Sequence, residues 1–481
     1  MIPKQAIPAH DDPQAQEPAQ QLGEVRATRP YALWRALLDE KSLLAYLPIG
    51  AAMILLFCGA SWQMFHANTD AARYQCYALA FWQGSQGTQQ LPASQCGFLS
   101  QFGVQANNFA PFHVLPFEYP PLTLSVFSLG LPAPLVDYQV AFAIAMALVA
   151  LLIYWLLLRF GPRGAALACA FYLVLGAWGT AEGRFDLVPA ALTLLCLIAA
   201  ERRRWRLAYI ALACAFLIKI YPLLLLPALF MAEQIAYGRF RRPASSLTFK
   251  TLPGEIWRTL CGIGQWRWAN TLFCAGLIIV ISGIFALFNF QGALVSQLSY
   301  FTNRPVQVEA TGSIVLWLGG FFGHPASVVY SFGSVNIASD LGNAVALASE
   351  ALFVLGYALV ILWQWRGRLD VVQAFIALTL VFIITGKVFS PQYLIWLIPL
   401  LAYQGAFNRL WLILWSAISV ITTLIYPYLY MMTRDARKAP YIAGFIESVA
   451  LRDILLVLIT LAFLFNWFSQ FTRTRPRPDL D

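Results

Sequence analysis

Charge is scarce in this chain. Asp, Glu, Lys and Arg make up 11% of its 481 residues, against about 25% in ordinary soluble domains. Hydrophobic residues make up 59%, and mean hydropathy is +0.65. Soluble cores cannot hide that much apolar surface, so a string of soluble domains is excluded and a polytopic membrane protein is left. The 8 cysteines form no CxxC and no zinc-ligand spacing, which excludes a disulfide-stapled scaffold. No GxGxxG and no GxxxxGK[ST] is present, so a Rossmann or P-loop enzyme is excluded as well. There is no leading apolar h-region. Residues 1–42 are polar and rich in Pro, Gln and Ala, and read as a disordered cytoplasmic tail. No repeat relates the two halves, which weighs against many transporter folds. No Asn-x-Ser/Thr sequon occurs, which sits more easily with a bacterial membrane.

What the chain has instead is apolar runs. A crossing helix needs about 20 such residues. Crossings are expected near 43–65, 136–158, 164–181, 186–200, 207–219, 220–236, 271–290, 343–363, 370–386, 389–403, 410–430 and 449–470. This predicts an all-α polytopic protein with about twelve crossings, in the range 11–13. The stretches 120–133 and 312–322 are broken by Pro or Gly and are expected to be re-entrant or interfacial.

The formal charge of +9 is a topology signal. With both termini in the cytoplasm, roughly 23 of the basic residues fall inside, the positive-inside pattern. They include Arg202, Arg203, Arg204 and Arg206, the 238–270 loop, and the 471–481 tail. The 238–270 loop is basic and carries Trp257, Trp266 and Trp268, so it is expected to lie along the inner leaflet. Outside remain Arg73, Arg184, Lys219, Arg304, Lys387, Arg434, Arg437, Lys438 and Arg452. Charge at a membrane boundary is costly and needs a reason.

The outer loops supply candidates. In 66–118, Asp70 opens an amphipathic run to Trp82, with Tyr74, Tyr77, Ala78 and Phe81 at helical spacing, which predicts an interfacial helix. Asp70 is either the N-cap of that helix or a carboxylate held as a general base, and one residue can serve both. Glu118 precedes Tyr119-Pro120-Pro121 and is either an acid/base or sugar-binding group or a solvated loop charge. Glu182 and Asp186 flank Arg184, as a local ion-pair network or a substrate-facing turn. Lys219, before Ile220-Tyr221-Pro222, and Lys387, before Ser390-Pro391-Gln392-Tyr393, either snorkel or bracket a phosphate. Arg304 either binds phosphate or pairs with Glu309. His66, His113 and His324 fall outside but match no metal-ligand motif. Cys76 and Cys96 are the outer-loop cysteines, and either pair or leave a buried thiol at Cys76.

In this order, Asp70, Tyr119 to Leu122, Gly183 to Asp186, Lys219 to Pro222, Arg304 to Glu309 and Lys387 to Tyr393 resemble the GT-C superfamily of polyprenyl-phosphate-sugar-dependent glycosyltransferases. The likeness is nearest to the glycosyltransferase 87 family of membrane mannosyltransferases and spans most of 43–470. It implies a GT-C-like transmembrane domain with interfacial helices in the 66–118 catalytic loop, set in a bacterial cell membrane. It implies transfer of a hexose, mannose by the family's habit, to a lipid, glycan or protein acceptor at the extracytoplasmic face. Asp70 would be the catalytic base, and Lys219, Arg304 and Lys387 would bind the donor phosphate. Glu118, Asp186, Arg184, Glu309 and Gln392 would orient substrate. No metal, other cofactor or nucleic-acid partner is called for. A transporter or lipid flippase is the competing reading. It expects ionisable groups at mid-membrane depth, whereas these gather on one face.

Overall fold

The computed structural model describes residues 36–66, 69–102, 109–240, 250–405, 409–433, 435–465 and 467. Residues 1–35 of the expected tail, 241–249 of the basic loop, Arg434 and the 471–481 tail lie outside these. The described chain is a helical assembly with one small β-hairpin. Each of the twelve expected crossings holds a helix, from Leu47–Ala60 to Phe445–Leu464. Among the described residues, five are long and apolar enough to cross a bilayer: Leu43–Gln63, Leu135–Phe160, Ala269–Phe288, Gly342–Trp365 and Arg409–Leu429. Apolar side chains on every face explain why these runs are helices in lipid, where each backbone polar group must be paired within the segment. Ala269–Phe288 buries Cys274 and leaves most of its other side chains open or half-open, as a lipid-facing helix would.

Small residues bring the inner helices together. Leu187–Glu201 and Trp205–Ile218 form a hairpin with buried Ala190, Ala208, Ala211 and Ala215 along its length. A side chain at Gly59 would collide with the backbone of Trp178, and one at Gly356 with Val381. Phe445–Leu464 differs from the other long helices in carrying Arg452 and Asp453, both fully buried.

The structure corrects one local expectation, the capping role of Asp70, and adds one element. The helix over Asp70–Gln83 is present, and Tyr74 through Phe81 are all buried against the rest of the chain. Its N-cap is Thr69, whose hydroxyl accepts from the Ala72 amide at 3.2 Å. Asp70 is the first helical residue, and its carboxylate is not used for capping. The added element is the antiparallel hairpin Ser327–Ser331 and Ser334–Ala338, in a stretch where the sequence offered no strand. Its two-residue turn has φ of 53° at Phe332 and 67° at Gly333, the twist that suits tight hairpins. Residues 120–133 and 312–322 hold short helices, Thr123–Phe127 and Thr311–Gly319. In the 238–270 segment, Leu252–Leu260 is a helix with Trp257 exposed.

Candidate active site

One cavity of about 750 Å³ collects Asp70, Glu118, Arg184, Lys219, Arg304, Glu309, Lys387 and Gln392. They come from segments more than 300 residues apart in sequence, Asp70 to Gln392. Asp186 stands behind Lys219, its carboxylate accepting from the ammonium. Aromatic rings supply much of the rest of the wall, among them Trp62, Tyr119, Tyr300, Tyr393, Trp396, Tyr426 and Tyr430. A mostly apolar cleft of this size with a few convergent polar groups has the form of a small-molecule site.

Asp70 is fixed at the start of its helix by the Thr69 cap, which sets the direction of the first turn. Its Oδ2 lies 2.8 Å from Arg184 Nη2, and its Oδ1 lies 4.0 Å from Arg73 one helical turn on. Arg184 also donates to Ser390 Oγ at 3.3 Å and to the Tyr426 hydroxyl at 3.4 Å. The 183–186 turn is thereby tied to the 387–393 turn and to the Arg409–Leu429 helix. The local pair expected between Arg184 and Glu182 does not form. The Glu182 carboxyl is buried with neither oxygen bonded among the described residues.

Glu118 is not a solvated loop charge. It accepts from Arg73 Nη2 at 2.6 Å and from the Tyr77 hydroxyl at 2.8 Å. Burial pushes the Tyr77 phenol well up, and the nearby Glu118 carboxylate adds to that, so the hydroxyl stays a donor. Arg73 also stacks over Phe98 at 4.7 Å and lies beneath the hairpin tip, 3.1 Å from where a side chain at Gly333 would begin.

Lys219 sits among rings, 4.6 Å from the centroid of Phe185 and 5.1 Å from that of Trp396. The Trp396 indole donates to the same Asp186 oxygen at 2.7 Å and is stacked between Tyr221 and Tyr393 at 4.1 and 4.0 Å. Aromatic faces favour a cation in this position.

Arg304 does not pair with Glu309. Its Nη1 donates to the Tyr300 hydroxyl at 2.8 Å. Among the described residues no carboxylate lies within 4.0 Å of it. Glu309 is held by Arg452, 3.1 Å to the carboxylate and 2.6 Å to its backbone carbonyl, and by the Tyr430 hydroxyl at 3.1 Å. Burial raises the Glu309 carboxyl above its usual range, and Arg452 opposes that shift. Lys387 lies 3.5 Å from Glu350, whose side chain is 63% exposed. Gln392 accepts from the Ser390 hydroxyl.

Residues beyond those read from the sequence also shape the cavity. Arg73 had a legible signal, three positions after Asp70 and so on the same helix face. Tyr330, Phe332 and Gly333 had none, because they reach the cavity through the hairpin. Cys76 and Cys96 form a disulfide that ties the Asp70–Gln83 helix to the rest of the outer segment. His66 lines the cavity, while His113 and His324 bond to the Phe288 carbonyl and Asp340. No three metal-ligating side chains gather among the described residues.

No family model and no curated protein sequence matches the chain. A solved structure similar to it is ArnT from Cupriavidus metallidurans, crystallised with undecaprenyl phosphate bound. The two share 14% identity over 87% of this chain and 76% of that one, at a TM-score of 0.40. A likeness at that level carries no argument about the reaction.

Proposed function

We propose that this chain is a membrane glycosyltransferase of the GT-C kind. It takes a hexose, mannose by family habit, from a polyprenyl-phosphate donor and passes it to a lipid, glycan or protein acceptor at the extracytoplasmic face. The observation that carries the reading is the pairing within one cavity of an anchored carboxylate, Asp70, with a guanidinium, Arg304, that has no carboxylate neighbour among the described residues. The first suits a base and the second an anion. The ordered sequence resemblance points the same way.

The chemistry needs little else. Asp70 accepts the proton of the acceptor hydroxyl as its oxygen attacks the anomeric carbon. The bond from that carbon to the phosphate oxygen breaks, its electron pair leaves with the phosphate, and the anomeric centre inverts. Side-chain cations meet the charge that develops on the leaving oxygen. Arg184 aims Asp70, while Glu118, Asp186, Glu309 and Gln392 line or buttress the space for sugar and acceptor.

The test is transfer from labelled polyprenyl-phosphate mannose in membranes containing the protein. Asp70→Asn should lower the rate by about 10²–10⁴, the usual worth of a positioned base, with unchanged insertion and melting. Transfer within a few-fold of wild type would end the role for Asp70. Uptake of a sugar or lipid into sealed vesicles with no labelled product would replace the enzyme by a transporter.

A further inference from the structure

We propose that the corner formed by Arg304 and Lys387 holds the spent lipid phosphate more tightly than the sugar-bearing donor, so that the reaction retains and is inhibited by its own lipid product. This rests on the function proposed above.

The cavity cations differ in how firmly they are held. Arg73 lies 2.6 Å from Glu118 and Arg184 2.8 Å from Asp70. Lys219 is in close contact with Asp186 inside its aromatic surround. These three are committed. Arg304 has the Tyr300 hydroxyl as a partner and a buried Nε without one. Lys387 is held by two long contacts, 3.5 Å to Glu350 and 3.4 Å to the Thr302 carbonyl. Both contacts are weak at those lengths, and exposed pairs of this kind contribute little.

The two loosely held cations share one corner. The Lys387 carbonyl accepts from the Gln307 amide at 2.9 Å. Its ammonium reaches residue 302, two positions before Arg304. The segment 302–307 therefore carries the guanidinium and is flanked by the ammonium. Polar groups beside these cations include the Tyr300 hydroxyl at Arg304, the Glu350 carboxylate at Lys387, and the buried Gln307 side-chain oxygen on the segment between them. Lys219 lines the same cavity but is already paired with Asp186, which sets it apart from the other two cations of the phosphate trio expected from the sequence.

The charge of the ligand changes during the reaction. The donor is a phosphodiester with one negative charge, which Arg304 can match alone. Breaking the anomeric carbon–oxygen bond leaves both electrons on the phosphate oxygen, and the acceptor proton departs on Asp70. The lipid is then a phosphate monoester, and such groups lose their second proton at about pH 6. The second charge calls for a second cation. Lys387 can turn from the exposed Glu350 to meet it at little cost, and a charge-assisted hydrogen bond is gained.

The test compares two probes on the purified full-length protein in lipid nanodiscs at pH 8. Farnesyl phosphate is a dianion there, and methyl farnesyl phosphate is a monoanion of nearly equal size. Wild-type protein should bind the monoester about tenfold more tightly than the diester, the scale of one added charge-assisted hydrogen bond. Lys387→Gln should bring that ratio near one, and Lys387→Arg should keep it. Glu350→Gln, which removes the competitor for the ammonium, should raise it. A wild-type ratio near one, or a ratio unchanged in Lys387→Gln, overturns the proposal and leaves the glycosyltransferase reading standing. If the wild type binds neither probe, that reading falls too. Should Lys387→Gln fail to fold, the wild-type and Glu350→Gln ratios still decide.

Discussion

Glu182 offers a test of the structure that is independent of any reaction. Its side chain is 1% exposed, and both carboxylate oxygens lack partners among the described residues. Burial pushes the carboxyl from 4.5 up to about 8. A raised value means the folded protein holds a proton that the unfolded chain gives up between those pH values. Stability from this group is therefore fully present below about pH 4.5 and is lost as pH rises to about 8. One pH unit corresponds to about 1.36 kcal/mol, so the penalty at pH 7 is about 3 kcal/mol. Glu182→Gln keeps the shape and cannot ionise. It should match wild type at pH 4.5 and exceed it by about 3 kcal/mol at pH 7, the gap growing with pH. The assay is unfolding of both proteins in one detergent at pH 4.5, 6 and 7.5. A gap that does not change with pH, or a variant less stable than wild type at pH 7.5, would refute the reasoning.

Two further perturbations follow from buried contacts. Arg452→Met leaves Glu309 and Asp453, 2% and 0% exposed, without their shared counter-charge and should cost about 3–5 kcal/mol. Adding Glu309→Gln and Asp453→Asn should restore most of it in the same unfolding assay; a triple variant as weak as the single one contradicts the charge argument. Gly333→Val places a branched side chain at a φ of 67° and should cost about 1–2 kcal/mol, with Gly333→Asn milder because Asn tolerates that region. Equal melting of the two variants would show that the turn is not held in that conformation.

The helices were legible because their signal is local: a run of apolar residues can be read from neighbours alone. Asp70, Lys219, Arg304 and Lys387 were legible as outer charges beside apolar runs, and they do share one cavity. Their partners were not. Arg184 reads as a neighbour of Glu182 and Asp186, yet its carboxylate is Asp70. Arg304 reads as a partner of Glu309, whose guanidinium comes from Arg452, 143 residues away. Sequence spacing tells which groups share a helix face and not which helices meet. The hairpin was missed for a chemical reason. Its turn is Phe332-Gly333, without the Asn or Asp that usually marks φ above zero. Thr69 as cap was missed because Asp70 beside it is an equally good capping type.

The Cys76–Cys96 bridge also bears on where each face of the protein is made and kept. A disulfide persists where thiols are oxidised and is undone by the cytosolic thiol pool. In the orientation we propose, the bridged helix and the cavity beside it look away from the cytosol, and the bridge closes after insertion rather than before. The same chain carries its own reporter for the opposite face. Cys261 is a free, exposed thiol beside the Leu252–Leu260 helix. A maleimide that cannot cross membranes should spare it in intact cells and label it in inside-out vesicles; labelling in intact cells would turn the assignment of faces over.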